Sequence, residues 1–503
     1  VAVMELRPYQ QDLVAKVRVR RRRCSLIVLP TGAGKTVVIS EVIREAENQH
    51  VLIFVHRREI IFQIRDKLAA FGIEAGLILA GQPMNQMARV QVASVQTLSS
   101  RCLRGDMDLP NADVVAIDEA HHVRAKTYKQ IIERYPDARI IGLTATPSRR
   151  DGRGLGSSFE EMVEGPQVAE LIDQKFLVGT KVYAPSTPNL KGVHTRQGDY
   201  AEGQLAKRVD LPELVGDIVM HWLRLSGRKR TITFATSVGH SRHIEEELRR
   251  AGVKVAHIDG STPKEERDDV LAQLACGDLE VVTNCMVLTE GFDLPDIGCI
   301  VLARPTKSMG LYRQMVGRGL RPAQGKDHCL VLDHSGATFQ HGFVEDPVRW
   351  TLEEDRRAEA PEHLARNQSP SERGLLTCSQ CSAVRTAGKP CPECGFMPKR
   401  PVEHVKVRDG DLAHLDRNGR LHLHLYSEED KREFYQGLLY LTLSRGHKPG
   451  AAAYRFKDKF DEFPPRHWQG LEPKEPTPEV AAFDRHCRIR YAKAMQKAGA
   501  SNA

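Results

Sequence analysis

Residues 29–36, LPTGAGKT, place two glycines, a lysine and a threonine at the end of the apolar run CSLIVL (24–29). That composition suits a grip on phosphate. Backbone N–H groups of a glycine-rich turn, and of the helix that starts near Lys35, can converge on bound phosphates. Thr31, Gly32, Ala33 and Gly34 form the turn, and the two glycines allow an approach that side chains would block. Lys35 is suited to the β- and γ-phosphates of ATP, and the Thr36 hydroxyl to Mg²⁺. The usual G-x-x-x-x-G-K-[ST] pattern has glycine where this chain has Leu29. Further on, VVAIDEAHH puts Asp118 and Glu119 at the end of an apolar run. Asp118 is expected to hold Mg²⁺ through water, and Glu119 to orient and deprotonate the water that attacks the γ-phosphate. Two carboxylates rather than one point to hydrolysis instead of a passive switch.

A second chemistry lies in CSQCSAVRTAGKPCPECG, where Cys378, Cys381, Cys391 and Cys394 follow the pattern C-x2-C-x9-C-x2-C. Each pair can clasp one side of a tetrahedral ion. All-sulfur ligation leaves no position for water, which favours structural zinc. An iron–sulfur cluster is the alternative.

These groups need a scaffold. Apolar runs at 24–29, 51–56, 90–95, 114–118 and 139–144, then at 231–235, 253–258, 279–283, 299–303 and 328–333, alternate with amphipathic stretches. Runs buried on both faces and separated by helices indicate parallel sheets with crossover connections. The expected fold class is therefore α/β, with two parallel-sheet domains in tandem, a small zinc-binding module and a mostly helical C-terminal region. The expected domains are 1–185, 186–345, a charged linker at 346–374, the four-cysteine module at 375–400 and an accessory region at 401–503. Within the last, SEEDKREFYQGLLYLTLSRG reads as a capped helix. Phe456, Phe460 and Phe463 fall on one helical face, and LHLHLY (421–426) reads as a strand with a solvated histidine face.

The 503 residues carry a net charge of +8 and are 41% hydrophobic, as globular proteins are. This balance permits a polyanionic partner without demanding one. The basic run KVRVRRRR (16–23) reads as a solvated helix end. No apolar stretch approaches the length needed to cross a bilayer, and no signal-peptide pattern stands at the N-terminus. Eleven cysteines, four of them clustered, suit a reducing cytoplasm better than a disulfide framework.

Taken together, LPTGAGKT and DEAH resemble the superfamily 2 helicases and translocases, whose domains are RecA-like. LRPYQ (6–10) is similar to the family's adenine-reading motif, which implies that Gln10 bonds adenine with Arg7 nearby. TATP (144–147) resembles the motif that couples hydrolysis to movement. TEGFDLP (289–295) matches the motif whose Gly291 and Asp293 approach nucleotide. QMVGRGLR (314–321) matches Q-x-x-G-R-x-x-R, which implies that Gln314 belongs to the catalytic set and that Arg318 and Arg321 are arginine fingers. The resemblance also implies nucleic-acid contacts at Arg57, Thr97 and Thr283, each expected just beyond a strand. The order of core, four-cysteine module and a tail with RFKDKF is similar to RadD-type proteins. That likeness implies a monomeric DNA-dependent motor in repair or recombination, acting on single-stranded or branched DNA and responsive to single-stranded-DNA-binding protein. An RNA helicase, a restriction-system motor and a remodeller that does not separate strands remain the alternatives.

Overall fold

The computed structural model describes residues 5–488 except 21, 86, 106, 124–125, 149–151, 185–187, 197, 290, 293, 354–373, 388, 398–425, 482 and 486. The linker is largely outside this set, as are Asp293 and LHLHL (421–425).

The first lobe is built on β1 (Cys24–Val28), β2 (Val51–Val55), β3 (Ala75–Ile78), β4 (Val90–Ser94), β5 (Val114–Ile117), β6 (Arg139–Thr144) and β7 (Glu161–Glu164). They lie in the order β3-β4-β2-β5-β6-β1-β7, and every pair is parallel. β1, β2, β4 and β5 are buried along their whole length. Helices cover both faces, so side chains pointing either way leave water.

The second lobe uses β8 (Gly179–Tyr183), then, after a two-stranded hairpin of β9 (Thr195–Arg196) and β10 (Asp199–Tyr200), β11 (Thr231–Phe234), β12 (Val255–Ile258), β13 (Val281–Asn284), β14 (Cys299–Leu302) and β15 (His328–Asp333). The sheet order is β12-β13-β11-β14-β15-β8, again all parallel. The fold is thus two parallel-sheet α/β domains in tandem.

One boundary differs from the expectation. β8 precedes residue 185, yet it pairs with β15 as the edge of the second sheet. Its sequence, GTKVY, is only half-buried, and periodicity does not say which sheet such an edge joins. The four-cysteine segment continues from this edge. β16 (Leu375–Thr377) and β17 (Val384–Thr386) form an antiparallel hairpin. Tyr183 bridges to Ala383, and Ala184 N–H donates to Ser382 O at 3.3 Å. Lys181 pairs with Glu393 at 3.0 Å. The segment is joined to the second lobe within one compact unit, not set apart at 375–400.

Residues 426–488 belong to a separate unit. The helix Glu428–Leu443 starts from a capping box in which Ser427 accepts from Asp430 N–H and the Asp430 carboxylate accepts from Ser427 N–H. It packs on the helix Gly450–Phe460 through Phe434, Tyr435, Leu438 and Phe456, and Trp468 of the following turn joins the same cluster. Phe456 is fully buried and Phe460 partly so. Phe463 departs from the expected shared face: the helix ends at Phe460, and Phe463 is half exposed. Asp484 is 1% exposed and bonds Arg445 at 2.5 Å and also Arg455.

Candidate nucleotide site and metal centre

The phosphate loop leaves β1 and enters the helix Lys35–Glu45. Gly32 and Gly34 have φ of 84° and 83°, the left-handed region that glycine tolerates. Crowding adds a second reason. A Cβ on Gly34 would stand 2.5 Å from Gln10 Nε2. The loop is gripped from behind, since the Tyr9 hydroxyl donates to Ala33 O at 2.7 Å and Gln10 Nε2 donates to the same oxygen at 3.3 Å. Gln10 Oε1 in turn accepts Arg7 N–H at 3.0 Å. Gln10 is therefore tied to the loop backbone itself. Arg7 lies over the Phe176 ring, 4.6 Å from its centroid, and Phe176 also meets Tyr9. Neither Phe176 nor Leu177, which borders Gly32, carries a motif that singles it out in sequence; Tyr9 sits inside LRPYQ.

Asp118 follows β5, and Glu119 comes next in a left-handed conformation (φ 48°) that a non-glycine residue adopts only under constraint. Its carboxylate is 3.3 Å from His121 Nδ1 and largely buried. Lys35 Nζ reaches Leu29 O at 3.5 Å. Burial pushes the Lys35 ammonium below its usual range. Glu119, then Asp118, oppose that fall, while Arg318 and Arg321 reinforce it. Two carboxylates of one lobe and two guanidinium groups of the other thus act on one ammonium. Thr36 begins the same helix, with its carbonyl accepting from Ser40 Oγ at 2.8 Å.

The second lobe closes over this loop. Arg321 places its Cγ 3.1 Å from where a Gly32 Cβ would stand, and a Cβ on Gly317 would be 2.8 Å from Thr31. Lys326 Nζ holds the turn, donating to Arg321 O at 2.7 Å. The two expected fingers are not alike. Arg318 is 5% exposed and donates to Thr289 O at 2.6 Å and Phe292 O at 3.1 Å, inside its own lobe. Arg321 also donates to Phe292 O, at 3.4 Å, but its stem lies against the phosphate loop. Gln314 is buried and lines a cavity between the lobes beside Thr146.

Two of the expected contacts, Thr283 and Gly291, fall elsewhere. Thr283 lies within β13, not beyond it, and is completely buried between β11 and β12, which removes it from any polymer path. Gly291 has Arg57 and Ile60 as its nearest neighbours, so it abuts the first lobe's helix Arg58–Ala70 instead of the phosphate loop. Arg57 spans the seam, donating to Val287 O at 2.7 Å and Met286 O at 3.3 Å. Thr97 is half-buried in the first turn of the helix Val95–Arg104, its N–H donating to Ser94 Oγ at 3.4 Å. Asp293 lies outside the described residues.

The four cysteine sulfurs lie within 4.8 Å of one another, with Cys378 and Cys394 at 3.6 Å and Cys381 and Cys391 at 3.5 Å. A tetrahedron with metal–sulfur bonds of about 2.3 Å has sulfurs about 3.8 Å apart. The donor set fits a single tetrahedral ion.

Residues 3–149 match the family described as type III restriction enzyme, res subunit, and residues 211–323 match the helicase conserved C-terminal domain. A Lactococcus phage protein named for its 51.5 kDa mass is 29% identical over 80% of this chain and 85% of its own length. A Saccharomyces cerevisiae protein named as an ATP-dependent helicase, IRC3, is 31% identical over 70% of this chain. The chain spans 54% of that relative's length. A fragment described as an HsdR subunit of a type I restriction enzyme from Vibrio vulnificus shares the fold, with a TM-score of 0.54 and 24% identity over 67% of this chain and 66% of that one. Among the described residues, no helix is long and apolar enough to cross a membrane. With two family matches in tandem and a phosphate loop, carboxylate pair and arginines gathered at the seam, the chain belongs to the superfamily 2 helicases and translocases and is an ATP hydrolase of that class.

Proposed function

We propose that this protein couples ATP hydrolysis to movement along DNA, as a helicase or branched-DNA translocase serving repair or recombination in the manner of RadD-type proteins. The observation that carries the reading is Arg321 of one lobe lying against Gly32 of the other lobe's phosphate loop. In this reading Lys35 and the loop N–H groups hold the phosphates, Glu119 takes the proton of the attacking water, and Arg321 stabilises the charge that develops. Mg²⁺, held by Thr36 and Asp118, would supply charge neutralisation on the phosphate oxygens. Arg318 supports the site from behind through its carbonyl contacts. Loss of the γ-phosphate weakens what draws Arg321 to the loop, so the lobes part, and a polymer held by both is advanced. The likeness to restriction-enzyme families supports DNA over RNA. The four cysteines are read as a structural zinc site, and the protein as a cytoplasmic monomer responsive to single-stranded-DNA-binding protein.

The test is ATP turnover with single-stranded DNA, duplex DNA or RNA at several salt concentrations. Stimulation by DNA that fades as salt rises is expected. Equal or greater stimulation by RNA would move the reading to an RNA helicase, and indifference to every nucleic acid would remove it.

A further inference from the structure

Between the lobes lies a cavity of about 750 Å³, far larger than a lone ion needs. Lobe one contributes His122 and Thr146, and lobe two contributes Arg304. A third wall comes from the β9–β10 hairpin and the helix Glu202–Val209, which present Arg196, Tyr200 and Lys207. This wall lies in the interval between the two family matches, which end at 149 and resume at 211.

The wall is built in. The Asp199 carboxylate accepts from Thr306 Oγ1 and from Lys307 N–H, each at 2.7 Å, and the Lys307 ammonium stands 4.8 Å from the Tyr200 ring centroid. Both wall acids are engaged, because Glu202 faces Arg304 Nη2 at 3.4 Å. Arg304 is 4% exposed. It donates to Thr236 O at 3.3 Å, yet its Nε has no hydrogen-bond partner among the described residues. Its guanidinium, already paired with Glu202, keeps one desolvated N–H beside the cavity that a further anion could use. Arg196 and Lys207 add two exposed cations, and Tyr200 adds a ring.

We propose that this three-walled groove holds single-stranded DNA, with Arg304, Arg196 and Lys207 meeting phosphates and Tyr200 meeting a base. Cations along a track with an interleaved aromatic ring make a sequence-tolerant single-strand site. The inference rests on the DNA-motor reading and adds where the strand runs.

Binding of a fluorescein-labelled oligothymidine, followed by anisotropy over a range of KCl, tests it in the full chain. The double variant Arg196→Glu, Lys207→Glu is expected to bind about tenfold more weakly or worse, with the salt slope reduced by about 1.4 for two lost phosphate contacts. Independently of any variant, an oligothymidine carrying 4-thiothymidine is expected to photocrosslink to the wild-type chain within residues 195–207. Unchanged affinity and slope in the variant, or crosslinks mapping only elsewhere, overturn the groove while leaving the motor intact. A wild-type chain that neither binds the oligomer nor hydrolyses ATP faster in its presence overturns the motor reading itself.

Discussion

At the scale of single residues, the site is organised by what cannot be changed. Glu119 holds a left-handed backbone with its carboxylate near Lys35 and His121. Glu119→Gln keeps the shape and loses the proton acceptor, so ATP should still bind while turnover falls by at least about 100-fold. Near-normal steady-state turnover would refute the assignment. Gly34 makes a different demand. An alanine there would carry a Cβ 2.5 Å from Gln10 Nε2 at a φ of 83°. Gly34→Ala should therefore disturb the loop and weaken binding of a fluorescent ATP analogue, while the remainder of the fold melts within a few degrees of wild type. An unchanged dissociation constant would show that the loop tolerates the crowding.

At the scale of elements, the second lobe buries His240, His334 and His341 in neutral form. His240 and His341 are pushed down to about 4, and His334 to about 3, each chiefly by burial. The unfolded chain binds these protons near pH 6.5, whereas the folded lobe does not. Stability is thus fully present above about pH 6.5 and is lost as pH falls toward 4, by up to about 1.4 kcal/mol per pH unit for each histidine. Calorimetric melting between pH 7.5 and pH 5 should record this decline, and a flat profile would contradict it. In the C-terminal unit, Asp484 balances Arg445 and Arg455 from a buried position. Asp484→Ala leaves cations without their counter-charge and should destabilise that unit by about 3 kcal/mol. Urea unfolding followed by Trp468 fluorescence would register the loss.

At the scale of the whole molecule, the strand β8 connects regions that are far apart in sequence. The chain passes Phe176 beside Arg7, passes Leu177 against Gly32, runs along the second sheet and ends at Tyr183 and Ala184 on the cysteine hairpin. About one zinc per chain is expected by elemental analysis. Its removal by a chelator should raise hydrogen exchange at the Ala184 amide, which donates to Ser382 O. Iron, or no metal in fresh protein, would remove the zinc assignment.

The chemistry-bearing residues were legible in one dimension because phosphate chemistry uses contiguous stretches. A strand, a glycine turn and a helix start must be neighbours in the chain to present N–H groups together, so LPTGAGKT declares itself. The same holds for DEAH at a strand end and for paired cysteines at knuckle spacing. The buried central strands were legible because both of their faces are apolar. Edge strands β7 and β8 were not, since half-buried surfaces blur the pattern. Everything that depends on two distant segments meeting was decided by tertiary structure alone. That includes Arg321 against Gly32, Arg318 turned into its own lobe, Thr283 enclosed by neighbouring strands, Arg57 across the seam and the 195–207 wall beside Arg304. Local sequence governs backbone geometry over a few residues, whereas the burial and partners of a side chain depend on how whole sheets close on one another.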